Sequence, residues 1–124
     1  MPILPVKVSY GHGAQSPRIE ALVDSGAADC LFRSDIGQRI GIRKIANGPM
    51  EPMGGIAVGV KIPVYYHSVK LWVGFDCINV VVGFTDNLPV AALLGRRGFF
   101  EHFTVTFDPA NNPPGFEIKR LGRA

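Results

Sequence analysis

Apolar and polar residues alternate over short stretches of this chain and seldom recur at helical spacing, which predicts strands joined by turns. Ile3 to Tyr10, rich in β-branched residues, reads as a first strand, with Gly11-His12-Gly13 as the turn behind it. Arg18 to Val23 follows as a partly alternating strand that runs into the turn-forming cluster Asp24-Ser25-Gly26-Ala27. Extended structure resumes at Cys30-Leu31-Phe32. Ser34 is then placed as the N-cap of a short helix over Asp35 to Ile40, ended by Gly41. Asn47 to Gly59 holds Pro49, Pro52, Gly54, Gly55 and Gly59 and reads as a flexible stretch between extended segments. Val60 to Trp72 predicts a long strand interrupted at Pro63, and Phe75 to Phe84 its hairpin partner across Gly74. Ala91 to Gly95 is apolar throughout, as expected of a strand buried on both faces. Phe99, Phe100 and Phe103 fall at helical spacing, so Arg96 to Phe103 predicts a short helix packed on the core. Thr104 to Asp108 and Phe116 to Leu121 read as closing strands.

Composition narrows this pattern to one small β-rich domain. Of 124 residues, 47% are hydrophobic and 19% charged, enough apolar material for a core and too little charge for global disorder. The 15 glycines and 10 prolines, scattered without period, exclude a collagen-like repeat and disfavour long helices. No internal repeat or domain boundary is visible, and the length leaves no room for a duplicated large unit. The net charge of +3 is partly local, with Lys119, Arg120 and Arg123 near the end, and reads as a solvated basic tail. No basic stripe interleaved with aromatics runs through the body, so nucleic-acid binding is not expected. Cys30 and Cys77 lack paired metal or redox spacing and read as small buried residues of a reducing compartment, with a single bridge between them left open. The three histidines are isolated, so no metal site is expected. With neither a signal-peptide pattern nor an apolar run of membrane-spanning length, the expectation is a soluble cytoplasmic protein without a cofactor.

The residues that bear chemistry cluster at Leu22-Val23-Asp24-Ser25-Gly26-Ala27. A carboxylate leaving a buried strand is poorly solvated and needs donors around it. Ser25 and the backbone N–H of Gly26 are the candidates, and Gly26 permits a tight turn. An Asx-type turn between two strands would use the same residues with no catalytic role, and on these residues alone both readings stand.

Two further elements tip the balance. Met53-Gly54-Gly55-Ile56 sits where a glycine-rich loop can close over a cleft, and Leu93-Leu94-Gly95-Arg96 follows as an apolar pair, a glycine and an arginine. In this order and at these spacings the set resembles the retropepsin-like aspartic proteases, the retroviral proteases and their cellular and prokaryotic single-domain relatives, over about residues 18 to 108. The resemblance implies a mainly β fold, a closed barrel with a flap hairpin and one or two short helices. The single domain would then cover 1–124, with 109–124 as a tail and candidate dimer-interface strand. It makes Asp24 the catalytic aspartate, with Ser25 and Gly26 supporting it; Ser25 corresponds to the family's residue that hydrogen-bonds across the subunit interface. Ala27, Ala28, Asp29, Met53, Gly54, Gly55, Ile56, Val90 and Leu93 become substrate-contacting positions, and Leu94, Gly95 and Arg96 the support beneath the active-site turn. The match departs from the retroviral pattern at Ala28, where the family carries an acid; the carboxylate here is Asp29, so an Arg96–Asp29 ion pair is expected in shifted form.

Peptide hydrolysis by this route needs two carboxylates sharing one proton, and the sequence holds one Asp-Ser-Gly. The resemblance therefore implies a homodimer in which each copy supplies Asp24, acting on a peptide or protein substrate. A catalytically silent dimeric β module that binds peptides or partner proteins in the same cleft is the alternative.

Overall fold

The computed structural model describes residues 2–54, 61–108 and 115–121. Its backbone is mainly β, as the alternation predicts. The strands are β1 (Ile3–Ser9), β2 (Ile19–Val23), β3 (Leu31–Arg33), β4 (Met50–Gly54), β5 (Lys61–Val73), β6 (Asp76–Thr85), β7 (Ala92–Leu94), β8 (Phe103–Asp108) and β9 (Gly115–Arg120). One helix, α1 (Ser34–Arg39), and a 3-10 turn at Ile45–Asn47 interrupt them.

Six of the strands close into a barrel in the order β1-β2-β7-β3-β6-β5, with β5 returning to β1 and β4 added outside β5. Closure falls to β1, which changes partner midway. Ile3 to Val6 pair with β2, and Lys7 to Ser9 pair with β5. Two buried hydroxyls hold that junction: Ser16 Oγ accepts the Val8 N–H at 3.0 Å, and Ser9 Oγ accepts the Trp72 indole N–H at 3.1 Å. Closing the sheet on itself removes the exposed edges that a small open sheet would present.

Inward side chains follow the two-residue period of a strand. In β6 Ile78, Val80, Val82 and Phe84 are buried while Asn79 and Val81 face out. The centre is aromatic, with Phe32, Phe84, Phe99 and Phe103 fully buried. Phe99 stacks on Phe103 with ring centroids 5.2 Å apart, and Phe32 lies 6.1 Å from Phe84 in a tilted arrangement. Hairpin β8–β9 forms its own two-stranded sheet, tied to the barrel by an Arg120–Asp76 ion pair at 3.7 Å.

Several local expectations are corrected. Arg96 to His102 forms no helix. Gly98 takes φ +96°, in the left-handed region, and the amides of Phe100 and Glu101 bond to the carbonyls of Gly95 and Arg96, a wider turn than an α-helix makes. Phe99 and Phe103 reach the core all the same. Ser34 is the first helical residue, buried and making no cap; Arg33 holds the cap position, and α1 stops one residue earlier than expected. Pro63 does not interrupt β5. It stands opposite Pro52 and beyond the last β5–β6 pair, Tyr65 with Phe84, where a residue without an amide hydrogen is tolerated. The stretch expected to be flexible contains β4, while its residues 55–59, with residue 60 of the next expected strand, lie outside the described residues.

Truncating the buried ring at Phe84→Ala should lower the unfolding free energy by about 3–5 kcal/mol through lost burial and the cavity left behind. Urea denaturation checks this; a loss below about 1 kcal/mol would place Phe84 outside the core.

Candidate active site

The site grows out of the way β7 is threaded. β2 and β3 are consecutive strands, yet they do not pair. β7 lies between them, parallel to β2 (Ala21 with Ala92, Val23 with Leu94) and antiparallel to β3. The connection 24–30 must therefore arch over the end of β7. Asp24 N–H donates to the Leu94 carbonyl at 3.0 Å, Arg96 N–H to Ala27 at 2.9 Å and Arg97 N–H to Ala28 at 2.9 Å, so the segment after β7 supports the arch from below.

Gly95 is the point of closest approach. A Cβ there would lie 2.7 Å from the Ala27 carbonyl oxygen and press on that of Asp29 as well, so only glycine fits. Cys30 Sγ is packed into the same layer, 3.9 Å from the Gly95 carbonyl. Burial pushes its thiol up to about 12, against the hydrogen bond to Gly95.

At the crest, Asp24 is half-buried and Ser25 and Gly26 are exposed. Asp24 Oδ1 accepts the Gly26 N–H at 2.8 Å, and the Asp24 carbonyl accepts the Ala27 N–H at 3.1 Å. The carboxylate is thereby fixed on an exposed turn whose hydroxyl, on Ser25, has no hydrogen-bond partner among the described residues. The Asx-type turn and the supported aspartate are one object.

Beside it lies a pocket of about 340 Å³ lined by Ala27, Ala28, Asp29, Leu31, Glu51, Pro52, Met53, Val64, Tyr66 and Leu93. The structure thus brings together Ala27, Ala28, Asp29, Met53 and Leu93, all expected as substrate-contacting positions, while Asp24, Ser25 and Gly26 stand on the adjoining turn and do not line this pocket. Leu93 is half-buried, in contrast to the expectation of burial on both faces, because its outward side forms this wall. Val90 sits in the loop before β7 and does not line this pocket. Met53 and Gly54 end β4, whose hairpin with β5 runs out to the Gly54–Lys61 pair. Gly55 and Ile56 lie outside the described residues.

The expected Arg96–Asp29 pair is not formed. Arg97 takes the role, with Nε 2.7 Å from Asp29 Oδ1 and Nη2 3.0 Å from Oδ2, and Arg96 is exposed. The backbone explains the substitution: Asp29 and Arg97 are joined by a parallel bridge, which brings their side chains together. The Tyr66 hydroxyl, which sequence reasoning missed, donates to Asp29 Oδ2 at 3.0 Å. Burial, followed by this bond and the charge of Asp29, pushes the Tyr66 hydroxyl up to about 12, so it remains a donor through neutral pH. The same carboxylate raises Arg97. Nothing in the sequence distinguishes Arg97 from Arg96; only the register does. No group of residues with metal-binding geometry occurs among the described residues.

Two measurements probe this layer. Gly95→Ala should cost about 1–3 kcal/mol in urea denaturation, because backbone on both sides has to move; an unchanged midpoint would contradict the close packing. Iodoacetamide should label Cys77 in the folded protein well before Cys30, which is buried and un-ionised at neutral pH; equal rates by mass spectrometry would contradict the burial.

No family model and no curated protein matches the chain. Solved structures do. The EIAV protease complexed with the inhibitor HBY-793 superposes with a TM-score of 0.53 at 22% identity, covering 77% of this chain and 81% of that one. The retroviral protease-like domain of Ddi1 from Leishmania major gives 0.58 at 18% identity, covering 84% and 81%. Joined to the closed barrel, the threaded β7 and the supported Asp-Ser-Gly turn, these likenesses establish that the chain has the fold of the retropepsin-like aspartic proteases.

Proposed function

We propose that the chain is a homodimeric aspartic endopeptidase in which Asp24 of each copy forms one catalytic pair. The observation that carries this reading is the Asp24 carboxylate, held by the Gly26 amide on an exposed turn whose Ala27 lines the pocket. Asp29, the nearest acid along the chain, is engaged by Arg97 and Tyr66. A second Asp24 related by a two-fold axis completes the site.

Like charges about 3 Å apart cannot both ionise, so the pair holds one proton between two carboxylates. The ionised member takes a proton from water as it attacks the scissile carbonyl. The protonated member donates to the carbonyl oxygen as it gains charge. Ser25, exposed beside Asp24, would bond across the axis. The β4–β5 hairpin acts as the flap, holding an extended peptide against Ala27, Ala28 and Asp29, with Met53 and Leu93 as walls.

Asp24→Asn should reduce turnover of a peptide library by about 10²–10⁴-fold while the mass in solution stays that of a dimer. Unchanged turnover would overturn the assignment of Asp24. A folded wild-type dimer that binds peptides and cleaves none would favour the non-catalytic binding module, a reading suggested by the displacement of the acid from position 28 to Asp29.

A further inference from the structure

The pocket beside Asp24 has an uneven chemical lining. Leu31, Met53, Val64 and Leu93 make its walls apolar, and its acids are Asp29 and Glu51. Asp29 is neutralised by the bidentate Arg97 contact and the Tyr66 hydroxyl. Glu51 is exposed and has neither an ion pair nor a hydrogen bond among the described residues. Strand register fixes where it points. Glu51 pairs with Val64 and Met53 with Ile62, so Glu51, Met53, Ile62, Val64 and Tyr66 share one face of the β4–β5 hairpin, and all of these but Ile62 line the pocket. Met50, Pro52, Pro63 and Tyr65 fall on the alternate positions, and of these Pro52 alone also borders the pocket.

A second cavity, of about 430 Å³, continues from the first, sharing Asp29, Glu51 and Tyr66 with it. There Glu101 accepts the Gly98 amide and Arg97 is held by Asp29, while His102 completes the charged or titratable groups. Glu51 thus stands at the junction of both cavities as the acid without a partner, and its charge reaches Tyr66 and Arg97.

We infer that Glu51 is a specificity-determining residue: the pocket beside Asp24 selects a lysine or arginine side chain of the bound peptide, with the aliphatic stem on Leu31, Met53, Val64 and Leu93 and the cationic head at Glu51. The inference rests on the cleft being the peptide site proposed above. Long basic side chains pack their methylenes on apolar walls while the charge seeks water or a counter-ion, and this lining supplies both. An apolar residue of similar length would fill the walls but leave the carboxylate without a partner. An acidic one would set like charges together.

The test profiles wild type, Glu51→Gln and Glu51→Lys on a peptide library randomised around the scissile bond. In parallel, binding is measured for reduced-amide peptides that cannot be cleaved and that differ only by Lys, Met or Glu at the selected position. Wild type should favour Lys and Arg over Met by about tenfold at one position, the size of one charge-assisted contact in a half-shielded pocket. The ratio should collapse to about one in Glu51→Gln and turn toward Glu in Glu51→Lys. Cleavage with the same profile in all three proteins would overturn the inference and leave the protease reading intact. Lys-selective, Glu51-dependent binding without any cleavage would support the inference and overturn the protease reading. Failure to bind any of the peptides would overturn both.

Discussion

The structure turns on one steric constraint: backbone must pack on backbone where β7 passes beneath the connection between β2 and β3. The chain can place a three-residue strand between two sequential neighbours only if the connection arches over it, and the arch holds only if it is bonded from below. Leu94, Arg96 and Arg97 supply those bonds, and Gly95 makes room for them by lacking a Cβ. The exposure of Ser25 and Gly26, the hold on Asp24 and the outward face of Leu93 all follow from that layer. A buried polar backbone needs partners, and here the partners position the turn that carries Asp24.

The same layer sets the electrostatics of the site. Crossing Arg97 against Asp29 in a parallel bridge neutralises one carboxylate of the cleft and fixes Tyr66 as its second donor. Two acids are left with unspent charge, Asp24 on the turn and Glu51 on the hairpin face. In the proposed function the first acts with a symmetry mate, and in the further inference the second chooses what is bound. Under that proposal, a site divided between two copies would give a domain with a single Asp-Ser-Gly its catalytic pair.

Much of the fold is legible in the sequence because strands announce themselves by alternation, as in β6, and the buried run Ala92 to Leu94 by its uniform apolarity. The turn at Asp24, Ser25 and Gly26 is legible for a related reason, since Asp-Ser-Gly has the side chain and backbone that an Asx-type turn needs. The failures are equally physical. Phe99, Phe100 and Phe103 carry helical spacing, but the aromatic rings can reach the core from a wide turn once Gly98 adopts positive φ, and periodicity alone does not separate the two. Arg96 and Arg97 are adjacent and identical, so the choice of which pairs with Asp29 is made by register. Tyr66 and Glu51 carry no local signal; their places at the pocket arise from the strand opposite them and the face they share.

The central claim is that one active site is assembled from two copies of Asp24, and mixing subunits tests it most directly. Wild-type and Asp24→Asn chains are combined in varying ratio, allowed to exchange, and assayed for peptide hydrolysis at constant total protein. If each site needs an aspartate from both copies, activity falls as the square of the wild-type fraction, reaching about a quarter at equal mixing. A linear fall, to about half at equal mixing, would mean that each chain carries a complete site and would contradict the account.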